Sequence, residues 1–366
     1  MAEPTHKLFL LDAYALIYRA HFAFTKNPRI NSKGRNTSVP FGFTNTLLEV
    51  LTKQKPTHIG VAFDTAAPTF RDTLFADYKA TRQETPEDIR YGLPICKEII
   101  RGFNIPIFEL DGFEADDVIG TVAKQFANSD FVVYMMTPDK DYGQLVAPNV
   151  LLYKPAYMGN SVDILGPAEV CAKWEIERVE QVVDMLGLQG DTSDNIPGIP
   201  GVGPKTAAEL IKTYGSVEEV IAHAHELKGK LRERVEQFGA QALLSKELAR
   251  IKTDVPIEIR EEALRYTGPD EARLKPILEE LEFKTMLPRI FASGGGVASA
   301  PPPAPRAAQL SMFGAAPEEV APAVAGKSFV ADSVDYRLVK EDAQKNELLE
   351  KLLQQREFGV EVIEHE

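Results

Sequence analysis

The chain has 366 residues, 44% of them hydrophobic, and carries 41 Lys and Arg against 54 Asp and Glu for a net charge of −13. That apolar content suffices for one large core or two modest ones, but no stretch approaches the roughly eighteen consecutive apolar residues of a membrane span. The opening residues Met1 to Lys7 lack the basic-then-apolar order of a secretory signal, and two distant cysteines, Cys96 and Cys171, fit reduced thiols. A cytoplasmic, nucleoid-associated protein with no membrane contact is the expectation.

In chain order, Lys7 to Asp12 is an apolar run ending in an acid, and Ala13 to Ala23 carries apolar residues at helical spacing. Asp12 falls at the carboxyl end of the first strand, where open α/β sheets bind ligands; a plain helix N-cap is the alternative. Arg19 lies two helical turns on. Residues 27–38 form a basic polar loop, and Phe41 to Lys53 reads as a helix. His58 to Asp64 repeats the strand-then-acid pattern, which weakens the capping explanation for both aspartates. Residues 65–90 are a long polar insert, of the kind that is functional or disordered. It contains Tyr78-Lys79-Ala80-Thr81-Arg82, where Lys79 and Arg82 share a face if the segment is helical; a solvated basic face is the alternative. Pro86 to Phe103 is the next helix and Ile105 to Phe108 a short strand.

Residues 112–142 hold the strongest signal. Glu114, Asp116 and Asp117 sit in the first turn of a helix running to Phe126, more acid than the helix dipole asks for. The apolar strand Phe131 to Met136 follows, and then Asp139 and Asp141. Carboxylates repel and rarely gather unless a cation neutralises them. An oxygen-only set without His or Cys suits Mg²⁺, with Mn²⁺ as a substitute, rather than zinc. Overall acidity therefore does not exclude a nucleic-acid partner; it predicts weak non-specific binding in the absence of metal.

Val150 to Tyr153 is another strand, and 167–174 and 177–188 are helical. Asp191 and Asp194, three apart, share a face. The Gly/Pro run behind them includes Gly198, Gly201 and Gly203 and turns into a helix from Lys205 to Tyr214, with Thr206 in its first turn. Glycines let backbone N–H groups approach a phosphate, and a helix N-terminus favours the anion; a bare turn is the alternative. The run resembles the hairpin of helix-hairpin-helix motifs, which contact the sugar-phosphate backbone without reading sequence. Residues 216–290 read as helices, with a closing pair near 274–287. Residues 292–327 are rich in Ala, Pro and Gly and read as a linker, after which a short piece begins something new.

Taken together, Gly190-Asp191-x-Ser193-Asp194-Asn195-Ile196-Pro197-Gly198-x-x-Gly201-x-Gly203-x-Lys205-Thr206-Ala207, Glu114-Ala115-Asp116-Asp117 and Tyr78-Lys79-x-x-Arg82 resemble the 5′→3′ exonuclease domain of bacterial DNA polymerase I, in the flap endonuclease family. The resemblance covers about residues 6–290. It implies a PIN-like three-layer α/β/α core at 1–185 with a helical arch at 65–90, then a helix-hairpin-helix-type DNA-binding subdomain at 186–290. A linker at 291–330 and the truncated start of a 3′→5′ exonuclease-like domain at 331–366 complete the division. That last piece reads Val360-Glu361-Val362 where proofreading would require Asp-x-Glu.

By the same resemblance, Asp12, Asp64, Glu114 and Asp116 are the ligands of a first metal. Asp117, Asp139, Asp141, Asp191 and Asp194 form the second-metal group. Lys79 and Arg82 hold the scissile phosphate, Arg19 assists, and Tyr78 stacks on a base or packs. A potassium ion is implied among backbone carbonyls near residues 198–203. The implied activity is two-metal hydrolysis of DNA at a 5′ flap, nick or 5′ end, RNA-primed ends included, by a monomer fused to a polymerase. A non-catalytic DNA-junction binder is the rival reading.

Overall fold

The computed structural model describes residues 6–127, 130–155 and 161–291. The linker and the piece expected after it lie outside the described residues. Six strands form one sheet: β1 (His6–Asp12), β2 (His58–Ala62), β3 (Ile107–Phe108), β4 (Phe131–Met136), β5 (Val150–Lys154) and β6 (Asp163–Leu165). Their order is β3-β2-β1-β4-β5-β6. All neighbours pair in parallel except β6, which runs antiparallel to β5.

Thirteen α-helices are described. Before β4 come α1 (Ala13–Phe24), α2 (Ser38–Glu49), α3 (Phe70–Leu74), α4 (Glu87–Gly102) and α5 (Ala115–Phe126). After β6 follow α6 (Pro167–Trp174), α7 (Gln181–Gln189), α8 (Pro204–Tyr214), α9 (Val217–Ala222), α10 (Gly229–Ala249), α11 (Glu261–Leu264), α12 (Glu271–Glu280) and α13 (Leu287–Phe291).

Strand alternation decides which face each residue serves. Leu8 and Leu10 of β1 join one core with α5, α7 and the helices through α10. Phe9 and Leu11 join the other, with α1, α2, α4 and α12. The central strands are therefore apolar on both faces, as a parallel sheet covered by two helical layers requires. The chain leaves β1 for β2 and β3 on one side and crosses to β4 on the other. The reversal opens a crevice at the carboxyl end of β1.

Several expectations need correction. The helix expected through Lys53 ends regularly at Glu49 and continues as a wider π turn, Val50–Gln54, stopped by Lys55 at φ 49°. The helix expected from residue 177 starts at Gln181. β6 is not foreseen from the sequence, because three residues are too few to show a period. Residues 65–90, expected as a helical arch, hold the five-residue helix α3, turns from Ala76 to Thr81 and only the first turn of α4. Lys79 lies in the left-handed region at φ 56°, so it and Arg82 do not share a helix face. A backbone hydrogen bond from Arg82 N to Lys79 O, 3.0 Å, still turns both toward the same acids.

Candidate active site

Strand ends place the first two acids. Asp12 closes β1 and also caps α1, so the strand-end position and the helix cap occur together. Its Oδ1 accepts from Ala15 N at 3.1 Å, and its Oδ2 from Thr137 Oγ1 at 3.1 Å and Tyr142 OH at 3.4 Å. Burial pushes the Asp12 carboxyl up to about 7, Asp64 and Asp139 push it the same way, and the two hydrogen bonds from Ala15 and Thr137 only partly oppose them. Asp64, two residues beyond β2, accepts from Ala115 N at 2.7 Å and so ties the second strand to the start of α5.

That helix start carries Glu114 as its N-cap. Glu114 Oε1 accepts from Lys79 Nζ at 2.7 Å; Oε2 accepts from Tyr78 OH at 3.2 Å and lies 3.4 Å from Arg71. Burial raises Asp116 well above the ordinary carboxylate range, and Asp117 and Glu114 add to it against the opposing charges of Arg71 and Lys79. Beyond β4, Asp139 accepts from Asp141 N at 2.9 Å. Asp141 is also driven well up, by burial first and Asp139 second, and its Oδ1 is buried without a hydrogen-bond partner.

The last two acids lie on a loop closed by a two-residue bridge: Asp191 N donates to Ile196 O at 2.9 Å and Ile196 N to Asp191 O at 2.7 Å. They do not share a helix face, and they meet different cations. Asp191 lies 3.0 Å from Lys140 Nζ. Burial raises Asp191, but that ammonium and the hydrogen bonds of Ser193 outweigh it and hold the carboxyl below its usual range. Asp194 accepts from Arg82 at 2.6 Å and lies 3.7 Å from Lys79. Two further bonds stitch this loop to the 77–82 turns: Lys79 N to Asp194 O at 2.9 Å and Asn195 Nδ2 to Asp77 O at 2.7 Å.

Eight of the nine expected acids thus face one crevice, with Lys79 and Arg82 on it. Among the described residues, no three of them converge tightly enough to hold an ion by themselves. Like charges spread apart, and Lys79, Arg82 and Lys140 supply the local positive charge.

Asp117 is the exception. It is fully buried and accepts four bonds: from Arg71 Nη1 and Nη2, both 2.8 Å, Lys252 N at 2.8 Å and Glu114 N at 3.1 Å. No lone pair remains for a metal, so its place in the expected ligand set is withdrawn. Tyr78 is likewise buried, its hydroxyl shared between Glu114 and Asp194. It packs, and has no ring face for a base. Arg19 donates to Thr46 Oγ1 at 2.9 Å on the neighbouring α2.

At the hairpin, Gly198 is buried at φ 58° and Gly201 is exposed at φ 76°. A side chain on Gly198 would run into the backbone of Gly190. Gly203, Lys205 and the partly exposed Thr206 lie at the start of α8, with Pro204 in its first turn. The α10 helix supports the turn: Gln241 Nε2 donates to Gly198 O at 2.6 Å, Ser245 Oγ accepts from Gly198 N at 3.0 Å, and Arg234 reaches Gly201 O at 3.4 Å.

Three residues of this surface were missed from sequence. Lys140 sits between two of the acids, and that flanking was the available signal. Arg71 and Gln144 offer none, since the carbonyls they hold at the end of α10 lie more than a hundred residues away.

Residues 7–175 match the family model described as 5′-3′ exonuclease, N-terminal resolvase-like domain, and residues 177–272 the one described as 5′-3′ exonuclease, C-terminal SAM fold. A 5′-3′ exonuclease of Aquifex aeolicus is 38% identical over 283 residues, covering 77% of this chain and 94% of the relative. The chain belongs to the 5′-3′ exonuclease family. Members of this family are nucleases that hydrolyse DNA.

DNA polymerase I of Bacillus subtilis is 41% identical over 286 residues, 78% of this chain, but the chain spans only 32% of that polymerase. Among solved structures, the bacteriophage T5 5′-exonuclease with bound divalent metal ions (zinc) superposes with a TM-score of 0.58 at 19% identity, covering 76% of this chain and 98% of that one. The catalytic core of Rad2 in complex with DNA substrate gives 0.51 at 17%, covering 78% and 93%. At these identities the likeness is one of fold.

Proposed function

We propose that this 5′-3′ exonuclease-family chain cuts DNA at 5′ flaps, nicks and 5′ ends by divalent-metal-assisted hydrolysis, with Mg²⁺ as the ion. Residues 1–185 supply most of the cutting site, and residues 186–290 add Asp191 and Asp194 to it and hold the duplex. The observation that carries this reading is the gathering of eight acids from five separate segments at one crevice, with Lys79 and Arg82 laid across them.

The donor set fits a divalent ion. It is all oxygen, Asp141 Oδ1 is buried without a partner, and Asp12, Asp116 and Asp141 are held above their ordinary range, so a cation would be taken up in exchange for protons. Asp12, Asp64, Glu114, Asp116, Asp139, Asp141, Asp191 and Asp194 would hold it or its waters. Two such ions, when bound, supply a hydroxide at neutral pH and stabilise the leaving oxygen. Lys79 and Arg82 would exchange Glu114 and Asp194 for the phosphoryl oxygens, neutralising charge that develops there. The exposed Gly203 and Lys205 at the start of α8 would take a backbone phosphate of the duplex.

A potassium ion at the hairpin fits less well. The Gly198 and Gly201 carbonyls already accept from Gln241 and Arg234, and a guanidinium beside them opposes a second cation. The match to DNA polymerase I supports a fusion to a polymerase and a role on RNA-primed ends in replication and repair.

The test is a 5′-flap oligonucleotide incubated with Mg²⁺ or with EDTA, using the parent and Asp116→Asn. Cleavage by the parent with Mg²⁺ alone, and flap binding without cleavage by Asp116→Asn, is the expected result. A parent that binds the flap and never cuts it would make the chain a non-catalytic junction binder.

A further inference from the structure

The Arg71 side chain is almost wholly buried behind the acids of the crevice and makes four side-chain hydrogen bonds. Its Nη1 and Nη2 pair with Asp117 at 2.8 Å each, its Nε donates to Leu248 O at 2.9 Å, its Nη2 also to Arg250 O at 2.8 Å, and its Nη1 lies 3.4 Å from Glu114 Oε2. Four of the five N–H groups of the guanidinium thus donate hydrogen bonds, and its charge also faces Glu114. Asp117, gripped in return, accepts from the backbone of Glu114 and of Lys252.

Leu248 and Arg250 belong to the end of α10, where helix carbonyls lack partners within the helix. Arg71 fills two of them, and the Gln144 side chain fills a third, Ala249 O, at 2.9 Å, while accepting from Ile251 N at 2.9 Å. The same α10 braces the hairpin through Gln241 and Ser245. One helix thus meets the hairpin along its middle and, at its end, Arg71 of α3, which joins it to the acid-bearing helix α5.

We propose that Arg71 is a positioning residue for the nuclease reaction: acting through Asp117, it fixes Glu114 at the start of α5 against the end of α10, and so sets the metal-binding carboxylates relative to the hairpin that holds the duplex. This rests on the functional reading above, in which Glu114 holds a divalent ion. Lysine at this position keeps the charge but cannot reach three acceptors in fixed directions.

The experiment compares the parent, Arg71→Lys, Arg71→Met and Asp117→Asn in three measurements. These are Mn²⁺ affinity by electron paramagnetic resonance titration, 5′-flap affinity in EDTA by fluorescence anisotropy, and kcat and KM for flap cleavage in Mg²⁺. Expected for Arg71→Lys and Asp117→Asn is a tenfold or greater loss of Mn²⁺ affinity and of kcat, with flap affinity in EDTA and KM within about threefold of the parent, and for Arg71→Met a larger loss. A folded Arg71→Lys with parental Mn²⁺ affinity and kcat overturns the proposal. So does failure of both Arg71→Lys and Asp117→Asn to fold, which would make the pair a structural support only. A parent that neither binds Mn²⁺ nor cuts overturns the functional reading itself, and this proposal with it.

Discussion

Lys79 Nζ lies 2.7 Å from Glu114 Oε1, so a cation expected to grip a phosphate rests on a carboxylate expected to hold a metal. Both groups are mostly shielded, and Tyr78 and Asp194 close around them. The pair keeps each charge from being buried alone, which would be more costly than the exchange of partners at catalysis. Lys79→Ala should lower kcat for flap cleavage by roughly 10²–10³-fold, the range for removing one donor from developing charge. Flap affinity in EDTA should change little. Single-turnover cleavage alongside anisotropy checks this; an unchanged kcat would remove Lys79 from the chemistry.

Asp12 gives a pH prediction with an unusual sign. Its carboxyl titrates near 7 in the fold against an ordinary 3.8. A raised acid binds its proton more tightly when folded. The ionised form therefore costs stability, a cost absent below 3.8 and fully present above about 7. Asp12→Asn should raise the melting temperature of the metal-free protein at pH 8, with the gain shrinking toward pH 4, while abolishing Mg²⁺-dependent cleavage. Calorimetry at the two pH values in EDTA tests it, and equal shifts at both would show that burial does not set this carboxyl.

The same carboxyl predicts proton release on metal binding. Near pH 7 a divalent ion displaces the proton that Asp12 holds; at pH 9 that carboxyl is already ionised. The calorimetric heat of Mg²⁺ binding should depend on the ionisation enthalpy of the buffer more strongly at pH 7 than at pH 9.

Two hairpin glycines should behave oppositely. Gly198 sits at φ 58° against the Gly190 backbone. Gly198→Ala must bear at least the left-handed penalty of roughly 1–2 kcal/mol and a backbone collision besides, which a lowered melting temperature would register. Gly203 has open space around its α-carbon, so Gly203→Ala should fold normally and weaken flap binding by crowding the phosphate at α8. Parental flap affinity in a folded Gly203→Ala would place the duplex elsewhere.

A monovalent-ion test follows from Gln241 and Arg234. Replacing K⁺ by tetramethylammonium at constant ionic strength should leave parental flap affinity within about twofold. Arg234→Ala, which uncovers the Gly201 carbonyl, should bind the flap more tightly in K⁺ than in tetramethylammonium. A strong K⁺ requirement in the parent would contradict this account of the hairpin.

The sequence by itself determined the parallel strands β1 to β5 and which segments bring acids to their carboxyl ends. Apolar runs ending in Asp12 and Asp64 marked the carboxyl ends of β1 and β2, and the acids about β4 marked the third point, because strand period and hydrophobicity are local properties. Glycines before Lys205 likewise announced the turn into α8. What only the tertiary structure decided is how neighbouring acids divide their work. Asp116 and Asp117 are adjacent in sequence, yet one faces the crevice and the other lies beneath it in the grip of Arg71, since a helix turns successive side chains about 100° apart and the buried one needs a counter-charge. That counter-charge comes from forty-six residues away, and the carbonyls completing it from more than a hundred and seventy. Pairings at such distances are set by the packing of α3, α5 and α10, which no local pattern encodes.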